Sequence, residues 1–266
     1  MDGGGEDGQG VSLETEMVLT NYAGATIQAK IDRYIRALAR SAIDSRLGLM
    51  PDTSVQAVGY TTVNAITNTG SQAWTGTTGM PCMWLLDMFN PSAATTIVVP
   101  YSSGPGDTSK PATTDYFVEI APDRIKYQDS VLYFKADGRS RGKLGMHPRR
   151  AKPMIGSYDA LHQVLTIAQF DIDPSAPYLN QEWNTVKPPF SGDAVNAYND
   201  GPLADGSQMG PFYELESVGP AAILKPQGQL VHQHAVFHFT GPEASLDKIS
   251  RGVLGVSIEE IKAVFQ

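Results

Sequence analysis

Hydrophobic and polar residues alternate along the first forty positions, which is typical of β-strands. Every second residue from Val11 to Leu19 would lie on one face of a strand, and a second alternating run covers residues 27–31. Residues 21–24, Asn-Tyr-Ala-Gly, lie between the two runs and are suited to a turn. The pattern therefore predicts two half-buried strands joined as a β-hairpin.

Short runs rich in β-branched and aromatic residues recur through the rest of the chain. They cover residues 55–67, 83–89, 95–101, 116–120, 124–127, 131–135, 143–146, 154–158, 164–170, 194–198, 212–218 and 230–239. The connections between them are too short for crossover helices, so most strands should pair antiparallel. We expect an all-β, mostly antiparallel β-sandwich.

The pattern changes at the C-terminal end. Residues 243–251 predict a short helix ended by Gly252, and Ser257 with Glu260 forms a capping-box sequence ahead of an apolar helical stripe. We expect this helix to pack on the sheet edge. The predicted organisation is a flexible Gly-rich lead (1–10), a β-sandwich domain (11–241) and a C-terminal helical segment (242–266).

Composition agrees with one turn-rich globular domain. The chain has 266 residues, 41% of them hydrophobic, and its 26 Gly and 18 Pro residues make up about 17%, against an average near 12%. The formal net charge of −8 makes nucleic acid a poor partner, because an acidic surface repels phosphate.

The sequence says little about location. No apolar run approaches the ~18 residues of a membrane helix, so no membrane partner is expected. No signal peptide is visible, and the compartment stays open: cytoplasmic, or periplasmic if a leader has been removed. A single cysteine, Cys82, excludes an internal disulfide and is best interpreted as an inert buried thiol.

Candidate acid–base chemistry is concentrated between residues 196 and 239. Alternation places three groups of side chains each on one strand face: Asn196, Tyr198 and Asp200; Glu214 and Glu216; and His232, His234 and His238. If these strands are neighbours, carboxylates and imidazoles meet in one groove, where one takes a proton and the other gives one.

Other interpretations of these residues remain open. The histidines and glutamates could be solvated polar surface. His232-x-His234 could also place two imidazoles beside a carboxylate as a metal site. The basic cluster around Arg150 could bind hydroxyls or a carboxylate. No nucleotide-binding glycine motif is present, and no cofactor is predicted.

The segments 212–217, 220–226 and 230–239 resemble the last strands of the galactose-mutarotase-like fold, which includes the aldose 1-epimerases. Over residues 13–239 the chain more closely resembles an uncharacterised bacterial family with that fold. The stretches that carry this resemblance are 64–70 with 73–74, 88–92, 150–153, 156–159, 196–202 and 210–217.

The resemblance implies a β-supersandwich with a sugar groove on a concave sheet. Glu216 falls on the position of the catalytic base, which takes the anomeric hydroxyl proton while a second group protonates the ring oxygen. Trp84, Trp183 or Tyr198 would stack on the sugar, and Asn199 and Asp200 would bind its hydroxyls. Glu214 and Arg150 complete the predicted binding set.

The chain departs from the epimerase pattern in two ways. The stretch that carries the family's catalytic acid has no histidine here, so the acid would come from His232 or His234. The N-terminal β half of such domains is also missing, which predicts a shortened form whose exposed sheet edge another subunit covers. The residues from 34 to 50 are ambiguous on their own, because Tyr34, Ile35, Leu38, Ala42 and Ile43 could form a helical stripe. The resemblance favours a strand to about Leu38 followed by a loop.

These observations favour a carbohydrate-active or carbohydrate-binding protein of mutarotase-like type whose partner is a sugar or glycan. Interconversion of sugar anomers by a Glu/His pair is the enzymatic version. The alternatives are a non-catalytic sugar-binding protein, a structural or assembly protein, and a metal-binding β-sandwich. Because proteins with the same fold have many different functions, only the residues of the site can distinguish among these alternatives.

Overall fold

The computed structural model describes residues 10–50, 52–104, 109–182 and 186–266. Within them the strands form two antiparallel sheets. In spatial order, the nine-stranded sheet contains β1 (Gly10–Thr20), β2 (Thr26–Ala37), β3 (Gln56–Asn68), β14 (Gln229–Thr240), β11 (Val164–Phe170), β10 (Met154–Asp159), β5 (Thr95–Pro100), β8 (Val131–Lys135) and β7 (Ile125–Gln128). The five-stranded sheet contains β4 (Trp84–Phe89), β13 (Tyr213–Val218), β12 (Val195–Asn199), β9 (Gly142–Met146) and β6 (Ala112–Thr113).

The predicted all-β, mostly antiparallel sandwich is confirmed. One face of the nine-stranded sheet packs on the five-stranded sheet because successive strand residues point to opposite sides. Ile97 and Leu132 of the large sheet meet Leu144, Val195 and Leu215 of the small sheet in one core, and all five are completely buried. This core fixes the small sheet with its opposite face turned outward.

Helices cover the other face of the nine-stranded sheet. Val98 and Phe237, which alternate with the residues of the first core, pack here against Leu246 and Ile258. The helices are α1 (Arg40–Leu47), α2 (Glu243–Val253) and α3 (Ile258–Ala263). The Ser257–Glu260 capping box is present as predicted, whereas Gly252 lies inside α2 and does not end it.

The predicted hairpin of β1 and β2 is confirmed, but β1 is not half-buried. The two strands pair along their full length, from Gly10 with Arg36 to Thr20 with Thr26. Val11 and Leu13 remain 57% and 53% exposed because β1 is the edge strand and pairs only with β2. That another subunit covers this edge stays a prediction.

Two local predictions are wrong. Residues 40–47 form a helix and not a loop, because Ile43 is completely buried in the helix-covered core and Arg40 pairs with Asp44 at 2.8 Å. Residues 116–120 form no strand; Ile120 donates its backbone N–H to the Thr114 carbonyl at 3.0 Å, which closes a loop.

The predicted division of the chain is compatible with these bounds. Residues 1–9 of the proposed lead lie outside the described part, and Gly10 already belongs to β1. Across the described ranges, no helix combines the length and apolar character needed to cross a membrane.

Candidate functional site

The outward face of the five-stranded sheet carries two adjacent rows of side chains. Residues directly opposite each other on paired strands share a face. The first row is Leu86, Glu216, Asn196 and Gly145, and the second is Met88, Glu214, Tyr198 and Lys143. Polar groups therefore occupy the middle of this face. The outer face of a sandwich is usually exposed to solvent, but most of these polar groups are buried.

Glu216 lies at the centre of these rows and has no exposed surface. Lys143 contacts both of its carboxylate oxygens, with Nζ 3.0 Å from Oε1 and 2.8 Å from Oε2. The indole N–H of Trp84 donates to Oε2 at 2.7 Å, and Nζ of Lys143 lies 4.3 Å from the centroid of the same indole. An ammonium and an N–H donor both favour the ionised carboxylate, and the Trp84 ring also interacts with the cation.

Glu214 lies two residues away on the same face of β13. Its pKa is raised to about 8, first by burial and then by the negative charge of Glu216 and a hydrogen bond to it, while Lys143 opposes the shift. At pH 7 this raised pKa favours the protonated, neutral form of Glu214. Neighbouring carboxyl groups whose surroundings differ are the arrangement that acid–base enzymes use.

A third group of polar side chains lies beside Glu216. The Tyr116 hydroxyl is 2.7 Å from Oδ2 of Asp193 and 3.1 Å from Oδ1 of Asn196. Burial is the main cause that raises the pKa of Asp193 to about 6, and burial also raises the pKa of Tyr116. The hydroxyl and the carboxyl lie directly over Gly145, where a Cβ atom would collide with both.

The exposed parts of the site flank this buried centre. On edge strand β4, Trp84, Leu86 and Met88 point outward and are 37%, 46% and 59% exposed. On the other side, a cavity of about 270 Å³ is lined by Arg141, Tyr198, Asp200, Gly201, Leu203, Ser207, Gln208 and Met209. Along one sheet face the site thus has an exposed apolar strip, a buried cluster of ionisable groups, and a cavity that combines apolar surface with the polar groups of Arg141, Tyr198 and Asp200.

The expectation that histidines join Glu216 in one groove is wrong. Ser217 follows Glu216 and points to the opposite side of β13, into the interior between the sheets. Its hydroxyl oxygen lies 2.9 Å from Nε2 of His232 and 2.9 Å from Nδ1 of His234. His232 and His234 are therefore separated from Glu216 by the sheet itself.

The interior imidazoles form a hydrogen-bonded chain of their own. Nε2 of His234 lies 2.6 Å from Oδ2 of Asp87, and its ring stacks on Phe170 with centroids 5.8 Å apart. The pKa of His232 is lowered to about 4, mainly by burial and then by His234. His238 forms a separate contact, 2.9 Å from the Thr166 hydroxyl. Within the described ranges, no three His, Cys, Asp or Glu residues are arranged to hold a metal ion.

Two other predicted site residues, Asn199 and Arg150, lie away from the acid–base centre. Asn199 is buried and holds a turn, accepting from the Gly138 N–H at 2.9 Å and donating to the Ser140 carbonyl at 2.8 Å. Arg150 donates to the Ser102 carbonyl at 2.7 Å in a different loop. Trp183 lies outside the described residues. Cys82 is partly buried, and burial raises the pKa of its thiol to about 11, as suits an unreactive cysteine.

The sequence interpretation missed Lys143, Tyr116 and Asp193. Lys143 is a lone cation in a short strand whose next residues, Leu144 and Met146, face the core. Strand alternation places Lys143 on the outward face, but nothing local indicates a partner two strands away. Tyr116 and Asp193 come from loops, and their contacts with the sheet depend on the tertiary fold alone.

Comparison with known proteins assigns the chain to a family but identifies no curated relative. A protein family described as a family of unknown function, DUF6786, matches residues 5–265. Among curated proteins, nothing matches significantly.

Solved structures give weak likenesses. The Slr1438 protein from Synechocystis sp. PCC 6803 has a TM-score of 0.49 at 10% identity, covering 91% of this chain and 65% of that one. The chain thus spans less than two thirds of that protein. Winged bean acidic lectin, solved with methyl-α-D-galactose, has a TM-score of 0.14 at 11% identity, covering 88% of this chain and 99% of that one. Both TM-scores lie below 0.5, and neither likeness bears on activity.

Proposed function

The chain belongs to DUF6786, a family of unknown function, and within it we propose that this protein binds a carbohydrate and interconverts its anomers by acid–base catalysis. The observation that carries the proposal is the pair Glu214 and Glu216 on one face of β13. The pKa of Glu214 is raised to about 8, and Glu216 is contacted by the Lys143 ammonium and the Trp84 indole N–H. An exposed tryptophan adjoins the pair.

The chemistry requires one proton donor and one acceptor. Glu214 donates its proton to the ring oxygen, and Glu216 takes the proton of the anomeric hydroxyl as the C1–O5 bond breaks. The open-chain aldehyde then rotates, and the reverse transfers close the ring on the other face. The total number of protons on the pair is unchanged, so no cofactor is needed.

Glu216 keeps the role of base that the resemblance to aldose 1-epimerases implies, whereas Glu214 replaces the histidine acid. This assignment removes His232 and His234 from the mechanism because they lie behind the sheet. The partner and the mutarotase-like classification remain part of the proposal.

Sugar recognition is assigned to the two exposed flanks. The Trp84 ring, next to Leu86 and Met88, supplies an apolar surface for the C–H face of a pyranose. The cavity beside Tyr198 and Asp200 supplies polar groups for hydroxyls. Glu214 lies between the flanks, in register with Met88 on one side and Tyr198 on the other.

NMR exchange spectroscopy of D-glucose, D-galactose and their uronic acids tests the proposal. Wild type should accelerate anomer exchange, and Glu214→Gln and Glu216→Gln should each lower the rate by about 100-fold or more, the typical contribution of a general acid or base. Glu259→Gln, an exposed glutamate on α3, is the matched control and should keep the wild-type rate. Wild-type protein that neither binds nor interconverts any of these sugars contradicts the proposal.

A non-catalytic sugar-binding protein is the second candidate. The observation that favours it is the complete burial of Glu216 under Lys143 and Trp84, because a base has to reach the proton it takes. Saturation-transfer NMR with the same sugars separates the two: binding without accelerated anomer exchange supports the second candidate and rejects the first.

A further inference from the structure

The cavity beside Glu214 contains a cation, Arg141, which forms no ion pair with an acidic side chain in the described part of the chain. Its guanidinium carbon lies 3.6 Å from the centroid of Phe117. Its positive charge also acts to lower the pKa of the Tyr198 hydroxyl. Stacking fixes the plane of a guanidinium while leaving N–H groups at its edge free to bind a ligand.

The position of Arg141 follows from the fold. Arg141 directly precedes β9, and its backbone runs so close to Gly201 that a Cβ atom there would collide with the N atoms of Ser140 and Arg141. Gly201 therefore brings the chain before β9 against the loop after β12. This contact makes Arg141 part of the same wall as Tyr198.

The acidic side chains of this region accept hydrogen bonds from groups other than Arg141. Asp200 is 1% exposed, and its two oxygens accept from the Tyr198 hydroxyl at 2.8 Å and the Gly210 N–H at 3.0 Å. The raised pKa of Glu214 favours its neutral form at pH 7. Asp205, in the turn above, accepts from both the backbone N–H and the hydroxyl of Ser207. Free donor capacity in the cavity therefore belongs chiefly to Arg141.

We propose that Arg141 binds an anionic substituent of the sugar, a carboxylate or a phosphate, so that the protein selects acidic sugars over neutral ones. The inference rests on the proposed function because it uses the same site. The cavity of about 270 Å³ is slightly smaller than the ~300–1,000 Å³ of typical small-molecule pockets, which suits one substituted ring. A planar guanidinium matches the geometry of either anion.

Calorimetric titration tests this assignment with glucuronate and galacturonate, with glucose 6-phosphate, and with glucose and galactose as neutral counterparts. Wild type should bind at least one acidic class about tenfold or more tightly than the neutral sugars. Arg141→Gln should weaken acidic-sugar binding by about 10- to 100-fold, the worth of charge-assisted hydrogen bonds, and leave neutral-sugar binding nearly unchanged. The uronate and phosphate arms identify the anion.

Two further variants keep the result interpretable. Arg141→Lys keeps the charge but loses the stacked planar fork, so its affinity should lie between those of wild type and Arg141→Gln. Arg139→Gln removes an exposed arginine from the same loop, outside the cavity, and should bind like wild type. Circular dichroism confirms that each variant is folded.

The outcomes separate the two proposals. Neutral and acidic sugars that bind equally, with Arg141→Gln unchanged, overturn the role of Arg141 and leave the proposed function standing. Wild type that binds neither class overturns both.

Discussion

Nζ of Lys143 lies 2.8 Å from Oε2 of Glu216, and the side chains of both residues are almost completely enclosed, 7% and 0% exposed. The two residues are on strands β9 and β13, which are separated by β12. The lysine side chain therefore crosses one whole strand to reach the carboxylate. This contact links the two strands that flank β12 through the interior of the polar face of the small sheet.

Replacing Lys143 with Met should destabilise the protein by about 3–5 kcal/mol, because Glu216 would be left as a buried charge without its partner. Adding Glu216→Gln should recover part of that loss. Urea unfolding followed by circular dichroism measures both. The matched control is Lys30→Met, which removes solvent-exposed ion pairs with Glu14 and Asp32 and should destabilise the protein far less. Equal losses for the two lysine variants would contradict the buried-pair account.

Glu214 should make the protein less stable at alkaline pH. Its pKa is 4.5 in an ordinary setting and about 8 in the fold, so the folded state binds the proton more tightly. The stabilisation is complete below about pH 4.5 and is lost as the pH rises through 8. Between pH 6 and pH 9 the melting temperature should fall by roughly a few degrees, and Glu214→Gln should flatten this part of the profile. An unchanged slope in Glu214→Gln would reject the raised pKa, and Glu259→Gln serves as control.

His232 should contribute to unfolding in acid. Its pKa is lowered from 6.5 to about 4 in the fold, so the unfolded chain takes up the proton first. The stability that the fold has while His232 is neutral in both states is therefore present above pH 6.5 and is lost as the pH falls through 4. His232→Gln should show a weaker loss of stability between pH 6.5 and pH 4, relative to its own value at pH 7.

Gly145→Ala should disrupt the site more than its size suggests. The added methyl would collide with Oδ2 of Asp193 and the Tyr116 hydroxyl, which pack directly on this glycine. We expect a loss of about 1–3 kcal/mol and, if the proposed function holds, weaker sugar binding. Gly252→Ala is the control: no atom lies within 4 Å of a Cβ there, and in helix α2 the change should be neutral or stabilising by up to about 1 kcal/mol. Thermal unfolding that ranks the two variants in the opposite order would contradict this interpretation.

Strand alternation was sufficient to predict most of the architecture. The period-two pattern located β1, β2, β3 and β14, and it correctly put Glu214 and Glu216 on one face. It failed where tertiary packing decides local structure. Helix α1 forms because Ile43 has to be buried, a requirement that the residues around it do not reveal.

The site was only partly predictable for a related reason. Alternation predicts which residues share a face of one strand. It does not predict which faces of different strands lie on the same side of the sheet or pack against each other. His232 and His234 were correctly placed together, and Glu214 and Glu216 were correctly placed together. The two pairs nevertheless lie on opposite sides of β13, and Glu216 contacts Lys143, which lies 73 positions earlier in the chain.

The Ser217 hydroxyl, placed between two imidazoles, has one hydrogen to give. While His234 is neutral and its Nε2–H points at Asp87, its Nδ1 can only accept, so Ser217 must donate to it. The serine oxygen is then the acceptor for Nε2–H of His232, and both rings are the Nε2–H tautomer. The hydrogen bonds among these four interior side chains thus all run in one direction. His232 donates to Ser217, Ser217 donates to His234, and His234 donates to Asp87. Nitrogen-15 chemical shifts of the two rings would report that direction.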